Sequence, residues 1–360
     1  MKTTIYLIVL FLLHIFFLES VNSQTTQEPS LFYNGTAAWS PNGQLLVFTS
    51  NRSGNFDIWT VGADGSNLTN LTNSRGITET NPQWSPDGRF ISFRSDRSGL
   101  FKIWVMETTS HESYTVGSKI PGIHGLHSWS LDGKHVAIAV NHREKIKSDI
   151  WVVSPDGENP LNLTENEELS FNWPVWSPDG KSIAFVSMQT GDTIYDTMFE
   201  GGFSGIWMGN IVTKNVGPVN TEQPYMTATW TPGNMILATV WIAENVNVWR
   251  IDPNSGASIN ITEDEPTIAT WPAWSPDGTQ IAFVSRRDGQ SNIWVMDANG
   301  KNSRNLTLAL ETRCVTPVWS PDGKMIAFET SYGSVFDQIS DILVINVETL
   351  ETQNLTSQSG

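Results

Sequence analysis

The sequence predicts an all-β protein, namely a seven-bladed β-propeller of four-stranded antiparallel blades. The first observation is a tryptophan-led stretch that occurs seven times. Its steps measure 45, 45, 47, 54, 44 and 45 residues, and the repeats start near Trp39, Trp84, Trp129, Trp176, Trp230, Trp274 and Trp319. The second is that each repeat holds four short strand patterns and no long amphipathic helix pattern. A period of about 40–50 residues with four strands is typical of a propeller blade.

Each repeat divides into four strands in a fixed order. The first strand ends at the tryptophan, as in Asn-Pro-Gln-Trp84, and a Ser-Pro-Asp-Gly turn follows, in which Pro presets φ and Gly takes the left-handed conformation. The second strand, such as 281–283, is apolar on both faces and is therefore expected to be buried. The third is Asp-Ile-Trp-Val-like, as at 57–61, and the fourth is Asn-Leu-Thr-like, as at 305–307.

The chain ahead of the first repeat predicts a secreted protein. Residues 1–23 have the pattern of a signal peptide, with a basic start, an apolar run at 5–18 and small residues before Gln24. An uncleaved membrane anchor is the alternative. We expect an extracellular location (periplasmic in a Gram-negative source), an N-terminal lead at 24–38, and a single propeller domain at 39–360 without a membrane span.

The net charge and the cysteine content exclude some classes of partner and of stabilising bond. The formal net charge of −16 argues against a nucleic-acid partner, because such partners require a basic face. The single cysteine, Cys314, rules out an internal disulfide and is expected to be a buried small residue. Stability must then come from packing and ring closure, and we expect a monomer.

The repeat pattern resembles that of the TolB-like β-propeller family. The resemblance rests on the Trp-Ser-Pro-Asp-Gly turn, the Ile-Ala-Phe strand and the Ile-Trp-Val-Met strand, which are clearest at 274–296. The repeat is also similar to the N-terminal propeller of dipeptidyl peptidase and prolyl oligopeptidase-like proteins. Their hydrolase domain would carry a Gly-x-Ser-x-Gly motif, which this sequence lacks. The resemblance therefore implies the fold, and seven units depart from the six blades of TolB itself.

The strand order also predicts where ligands bind. Tight turns occupy one face, whereas the loops between second and third strands and the connections between blades occupy the other; the longest is 188–205. Those connections carry carboxylates, and Glu79 and Glu263 are ligand-binding candidates at the channel mouth. Such carboxylates suit a basic partner or a cation such as calcium. The spacing matches no calcium loop, so no cofactor and no metal site is predicted. A solvated acidic surface remains the alternative.

Aromatic and histidine departures from the repeat complete the candidate site. Trp173 and Trp271 lie three residues before a blade tryptophan, and Tyr225 precedes the fifth blade similarly. His127 replaces the proline found at the equivalent positions 82, 174, 272 and 317. Aromatics beside carboxylates suit a carbohydrate or peptide ligand. The alternative is that these tryptophans only cap the wedge between blades.

Eight Asn-x-Ser/Thr sequons are candidate glycosylation sites. Most coincide with the fourth strand, where the repeat itself requires Leu-Thr, so they are not independent signals. They are Asn34, Asn51, Asn67, Asn70, Asn162, Asn260, Asn305 and Asn354.

These observations predict a secreted binding scaffold for a protein or carbohydrate ligand, acting through its loop-rich acidic face and without catalytic residues. One alternative is a glycan-active lyase or hydrolase that uses channel-mouth carboxylates. Another is a propeller that works in trans with a separate peptidase.

Overall fold

The computed structural model describes residues 32–142, 147–165, 168–189, 203–242, 245–263, 268–332 and 339–357. These residues form seven four-stranded antiparallel sheets, and within each sheet the strands follow one another in chain order. The described ranges contain no helix. The predicted seven-bladed, all-β architecture is confirmed.

The first strands of blades 1 and 2, and those of blades 3 and 4, contact each other and so line the centre of the ring. Blades 1 to 4 contain strands β1 to β16. Their bounds are β1 Asn34–Trp39, β2 Leu45–Ser50, β3 Asp57–Gly62, β4 Thr69–Asn70, β5 Glu79–Trp84, β6 Phe90–Ser95, β7 Lys102–Glu107, β8 Ser113–Val116, β9 Ile123–Trp129, β10 Val136–Asn141, β11 Ser148–Val153, β12 Leu161–Asn162, β13 Leu169–Trp176, β14 Ser182–Gln189, β15 Phe203–Asn210 and β16 Val216–Asn220.

Blades 5 to 7 follow the same plan. Their bounds are β17 Tyr225–Trp230, β18 Ile236–Ile242, β19 Asn245–Ile251, β20 Ser258–Asn260, β21 Ala269–Trp274, β22 Gln280–Ser285, β23 Asn292–Asp297, β24 Arg304–Asn305, β25 Arg313–Trp319, β26 Met325–Tyr332, β27 Ile339–Asn346 and β28 Thr352–Asn354.

The hydrophobic core lies between blades. Successive side chains of a strand point to opposite faces, so each second strand contributes to two interfaces. In blade 6, Ile281 and Phe283 pack towards blade 5, whereas Ala282 and Val284 pack towards blade 7. Both faces are therefore buried, as the apolar second-strand pattern predicts.

The blade tryptophans link neighbouring blades by a recurring hydrogen bond. The indole Nε1 donates to the carbonyl that lies one residue before the tryptophan of the preceding blade. Trp176 donates to Ser128 O at 3.1 Å, Trp230 to Val175 O at 3.0 Å, Trp319 to Ala273 O at 3.0 Å and Trp39 to Val318 O at 3.1 Å. These indoles therefore fix the spacing of the innermost strands as well as filling the wedge.

Trp129 departs from this pattern, since its Nε1 donates to Ser92 Oγ at 2.7 Å. Within the described ranges, Trp84 Nε1 and Trp274 Nε1 are buried without an acceptor.

The ring closes without exchanging a strand between the chain ends, because blades 1 and 7 are each built from one continuous segment. At this seam Asn34 Nδ2 donates to Ser340 O at 2.7 Å, and Thr36 N donates to Glu329 Oε1 at 2.8 Å. The first strand begins at Asn34, inside the 24–38 segment expected to precede the propeller.

The Ser-Pro-Asp-Gly segments form the predicted tight turns. In blade 4, Ser177 Oγ donates to Asp179 Oδ1 at 2.6 Å, and Lys181 N donates to the same oxygen at 3.0 Å. These two hydrogen bonds hold the pKa of Asp179 below its usual value, and the bond from Ser177 is the larger cause. Gly180 completes the turn at φ 68°. We call this side of the ring, with the third-to-fourth strand turns, the turn face, and the opposite side the loop face.

Candidate functional site

Glu79 does not lie at the channel mouth as an exposed carboxylate. It begins β5, is fully buried and forms an ion pair with Arg97. Ser95 Oγ donates to Glu79 Oε1 at 3.3 Å, and the Arg97 guanidinium lies 4.7 Å from the ring centroid of Trp104. A buried carboxylate requires such a partner, so Glu79 is committed to the interior of blade 2.

The exposed carboxylates of the loop face occupy four successive connections between blades, from blade 3 to blade 7. Five described glutamates belong to this group, which we call the acidic arc: Glu165, Glu168, Glu222, Glu263 and Glu311. Three further acidic residues of these connections, Glu167, Asp264 and Glu265, fall outside the described residues, as do residues 190–202 of the long 188–205 loop. Of the predicted site carboxylates, only Glu263 is exposed.

His127 is an interior residue of the blade 2–3 interface. Its side chain is 3% exposed, and Nε2 lies 2.7 Å from Ser92 Oγ, which also accepts the Trp129 indole proton. Burial, reinforced by the Arg94 charge, lowers the pKa of His127 to about 3. The ring is therefore neutral at physiological pH and does not lie on the loop face.

His124 is also buried, and Ile103 N donates to its Nδ1 at 3.2 Å. Burial lowers the pKa of His124 to about 3, and the nearby positive charge of Lys102 is the second cause of the shift. In the part of the chain that the structure describes, no group of three or more His, Cys, Asp or Glu side chains is arranged to hold a metal ion. Nor does any helix there have the length and apolarity needed to cross a membrane.

Tyr225 is fully buried in the blade 4–5 core, where it packs with Ile236 and Val240. Burial raises the pKa of its hydroxyl. Three of the six predicted ligand-binding residues, namely Glu79, His127 and Tyr225, are thus interior, and the structure does not bring the six together as one surface.

Besides the exposed Glu263, Trp173 and Trp271 are the candidates that keep a position consistent with binding. Each is half-buried and takes a left-handed conformation with φ 53°, at a β-bulge of the innermost strand. Thr36, Asn81 and Thr316 hold the same bulge position with φ between 52° and 56°. The left-handed bulge therefore recurs in five of the seven blades, with Thr, Asn or Trp at that position. A left-handed backbone is rare for an aromatic residue.

The innermost strands give the channel an uncharged lining. Two positions recur in every blade, three residues and one residue before the blade tryptophan, and all are half-buried except Asn81, which is buried. The first set is Thr36, Asn81, Leu126, Trp173, Thr227, Trp271 and Thr316, and the second is Ala38, Gln83, Ser128, Val175, Thr229, Ala273 and Val318. Since none of these residues is charged, the negative potential of the loop face comes from the acidic arc around the channel rather than from its wall.

The channel contains a cavity of about 550 Å³ on the side of the turn face, which we call the turn-face cavity. It is lined by residues 36–39 and 41 of blade 1, 81–86 of blade 2, and 128, 129 and 131 of blade 3. Its volume is within the range of small-molecule pockets, about 300–1,000 Å³.

Sequence reasoning assigned binding to the loop face and did not single out this cavity. A signal was present, because Gln83 and Ser128 are polar at a position where Val175, Ala273 and Val318 are apolar.

The sequons fall into distinct environments. Asn34 is fully buried, and its Nδ2 is engaged by Ser340 O, so the folded ring gives that nitrogen no access to solvent. On the fourth strands, Asn70 Nδ2 donates to Asp57 Oδ2 at 2.9 Å and Asn354 Nδ2 to Asp341 Oδ2 at 3.0 Å. Asn67 lies instead in an exposed turn.

The fourth-strand threonines have a structural role of their own, since Thr72 Oγ1 accepts Ile58 N at 3.0 Å and Thr164 Oγ1 accepts Ile150 N at 2.8 Å. The Asn-Leu-Thr pattern thus joins the end of the fourth strand to the third strand, whether or not its asparagine is glycosylated.

Comparison with known proteins places these features in a family. A protein named TolB homolog from Chlorobium luteolum is 32% identical over 160 residues, which are 44% of this chain and 33% of that protein. Dipeptidyl-peptidase 5 of Porphyromonas gingivalis is 26% identical over 147 residues, 38% of this chain and 21% of that protein. The chain thus spans about a third or less of the length of these curated relatives.

Solved structures share the fold at low identity. Oligogalacturonate lyase from Vibrio parahaemolyticus superposes with a TM-score of 0.67 at 14% identity, covering 92% of this chain and 96% of that one. Puromycin hydrolase gives 0.67 at 12% identity, covering 90% of this chain and 53% of that one.

A family profile described as the TolB beta propeller domain matches residues 14–117 and 194–360, which together exceed half of the chain. Three Ser-Pro-Asp-Gly turns and five of the seven blade tryptophans lie within the matched residues. The chain belongs to the TolB beta propeller domain family.

Proposed function

We propose that this protein is a secreted recognition scaffold that binds a basic protein partner through the acidic arc. Family membership supports a binding role for the propeller. The observation that carries the proposal is the presence of exposed glutamates on four successive connections around one side of the loop face. A single-sign surface of this kind accelerates association with an oppositely charged partner and disfavours like-charged ones.

The scaffold suits this role because its blades form a packed ring. Glu222 and Glu263 flank blade 5, whose strand β18 packs against both neighbouring blades. A binding surface carried by packed blades loses less conformational entropy on binding than one carried by an unpacked chain. The half-buried Trp173 and Trp271, on the innermost strands of blades 4 and 6, would supply the apolar contacts that a charged rim lacks.

The test is a charge reversal with a matched control. Glu222→Lys combined with Glu263→Lys should abolish capture of the partners that the wild-type protein takes from the extracellular fraction, identified by mass spectrometry. Glu348→Lys combined with Glu351→Lys makes the same change of charge at exposed positions of the turn face and should leave capture intact. Capture by the wild type should weaken as salt rises, because exposed charges are screened beyond about 10 Å at 0.1 M ionic strength. Equal capture by both double variants would refute the proposal.

The enzyme alternative has less support. Glycoside hydrolysis uses two carboxyl groups about 5–10 Å apart around the scissile bond. Of the two carboxylates predicted at the channel mouth, Glu79 is buried in an ion pair with Arg97 and is therefore not available for that role. A peptidase acting in trans is an outcome of the capture experiment, in which a hydrolase would be recovered through the acidic arc.

A further inference from the structure

Lys102 is a half-buried amine that makes no ion pair with any residue in the described ranges. It begins β7, at the loop-face end of blade 2. Its Nζ donates to Ile120 O at 2.6 Å and lies 3.2 Å from His124 Nε2. A lysine at this position departs from the repeat, which has an aspartate directly before the corresponding third-strand isoleucine in three other blades. These aspartates are Asp57, Asp149 and Asp341.

The aspartates at that position hold the fourth strand of their own blades. Each accepts a hydrogen bond from a fourth-strand asparagine, as Asp341 does from Asn354 Nδ2 at 3.0 Å. The fourth strand of blade 2, Ser113–Val116, contains no asparagine, and Lys102 bonds to the connection between blades 2 and 3 instead. The contact that explains a polar residue here in the other blades is therefore missing in blade 2.

The tautomer of His124 decides which form of Lys102 fits beside it. Ile103 N donates to His124 Nδ1 at 3.2 Å, so Nδ1 carries the lone pair. Burial holds the pKa of His124 at about 3, so the ring is neutral and its one N–H proton is on Nε2. That nitrogen is therefore a donor, and it faces Lys102 Nζ at 3.2 Å.

A charged lysine cannot accept the Nε2 proton. An ammonium group has three donors and no lone pair, so two donors would face each other across this contact. A neutral amine has a lone pair that accepts from His124, and one of its own N–H groups can still donate to Ile120 O. The geometry thus favours the uncharged form, and burial acts in the same direction by lowering the pKa of Lys102.

The charged groups around this contact do not favour the ammonium form. Arg94 Nε donates to His124 O at 2.9 Å, and its guanidinium lies 3.6 Å from the ring centroid of Phe101, so this side contributes a positive charge. Glu79, on the innermost strand of the same blade, is ion-paired with Arg97. Partial desolvation and a neighbouring cation are the conditions under which lysine acts as a nucleophile towards carbonyl groups.

We propose that Lys102 is a nucleophilic amine that binds an aldehyde ligand covalently, as a Schiff base. The amine nitrogen attacks the carbonyl carbon, and one N–H proton is transferred to the carbonyl oxygen to give a carbinolamine. The hydroxyl group then leaves with the second N–H proton as one water molecule, and a C=N bond remains. The reaction is a condensation without oxidation or reduction. It involves no residue of the acidic arc and does not depend on the proposed recognition role.

Borohydride trapping on the full chain tests the proposal. The protein is incubated at about pH 7 with propanal or with glucose, reduced, digested and analysed by peptide mass spectrometry. We expect the reduced adduct mainly on Lys102, and Lys102→Arg should lose it. An adduct from propanal alone would identify the ligand as a small aldehyde, whereas an adduct from glucose would identify it as the open-chain form of a reducing sugar.

Lys147 is a matched control within the same protein. It is 7% exposed, and its Nζ lies 3.5 Å from Asp149 Oδ1, so it has the carboxylate partner that Lys102 lacks. In a short pulse of acetic anhydride at a series of pH values, Lys147 should be labelled more slowly than Lys102. Labelling of Lys102 should reach half its maximal rate at a lower pH than labelling of the exposed Lys181, because the pH dependence reports the amine's charge rather than its accessibility.

His124 is a positioning residue in this proposal, and His124→Asn tests its part. Asparagine stands at the corresponding position of blade 1, as Asn34, and its Oδ1 would give the ammonium form an acceptor. The labelling midpoint of Lys102 should then rise and trapping should fall, whereas His111→Asn, at an exposed position, should change neither.

The proposal is overturned if the adduct is spread over the exposed lysines, if the pH profile of Lys102 lies at or above that of Lys181, or if a folded His124→Asn protein keeps the wild-type profile. If His124→Asn does not fold, as judged by its melting curve, the wild-type pH profile and the Lys102→Arg variant decide.

Discussion

Replacing Ser92 by alanine should destabilise the ring, although alanine is what the repeat prescribes there. Ala137, Ala184, Ala282 and Ala327 occupy the equivalent position in four other blades. Substitutions towards a repeat consensus usually stabilise. Ser92 is fully buried at the blade 2–3 interface, however, and its hydroxyl is the partner of two other side chains.

The size of the effect follows from those two contacts. Trp129 Nε1 donates to Ser92 Oγ at 2.7 Å, and His127 Nε2 lies 2.7 Å from the same oxygen. The variant leaves both nitrogens buried without this partner, at about 1–3 kcal/mol each. We therefore expect a loss of about 2–5 kcal/mol. With an unfolding entropy of about 0.7 kcal/mol/K for a ring of this length, the melting temperature should fall by about 3–7 °C.

The assay is urea and thermal unfolding of wild type, Ser92→Ala, Trp129→Phe and the double variant. Because the two residues share one hydrogen bond, the losses should not add, and the coupling energy should be about 0.5–1.5 kcal/mol. A Ser92→Ala protein as stable as the wild type, or strict additivity in the cycle, would refute this account of the interface.

Three further outcomes are expected. Trp274→Ala should cost about 3–5 kcal/mol and lower the melting temperature by about 4–7 °C, as measured by calorimetry; an unchanged melting temperature would contradict its place in the wedge. Burial lowers the pKa of His124 and His127 to about 3 in the folded chain. Between about pH 6.5 and pH 3 the unfolded chain therefore binds protons at these residues and the folded chain does not. The urea midpoint should accordingly fall as pH decreases from 6.5 towards 3, and less steeply in His127→Asn; equal slopes would count against the buried neutral ring. When the chain is secreted from eukaryotic cells, glycopeptide mass spectrometry should find glycan on Asn67 and none on Asn34, whose nitrogen is sequestered; an occupied Asn34 would mean that modification precedes closure of the ring.

The architecture could be predicted because its determinants are local and repeated. The Ser-Pro-Asp-Gly turn sets each hairpin through a bond within two residues, such as Ser177 to Asp179. The apolar second strand specifies burial on both faces without any knowledge of its neighbours. Recurrence at a constant period then implies a ring.

The candidate site was harder to predict because it depends on partners that are distant in sequence. Glu79 has the same residue type as the exposed glutamates of the other connections, and only the approach of Arg97 across the hairpin makes it an interior ion pair. His127 is fixed by Ser92, thirty-five residues earlier. The turn-face cavity requires three blades at once, so no single repeat reveals it.

The seam between blades 7 and 1 has a consequence for how such proteins change over evolutionary time. Here the seam consists of contacts such as Asn34 with Ser340 and Trp39 with Val318, and every blade is one uninterrupted segment. Duplication or deletion of one such segment would therefore add or remove one whole blade.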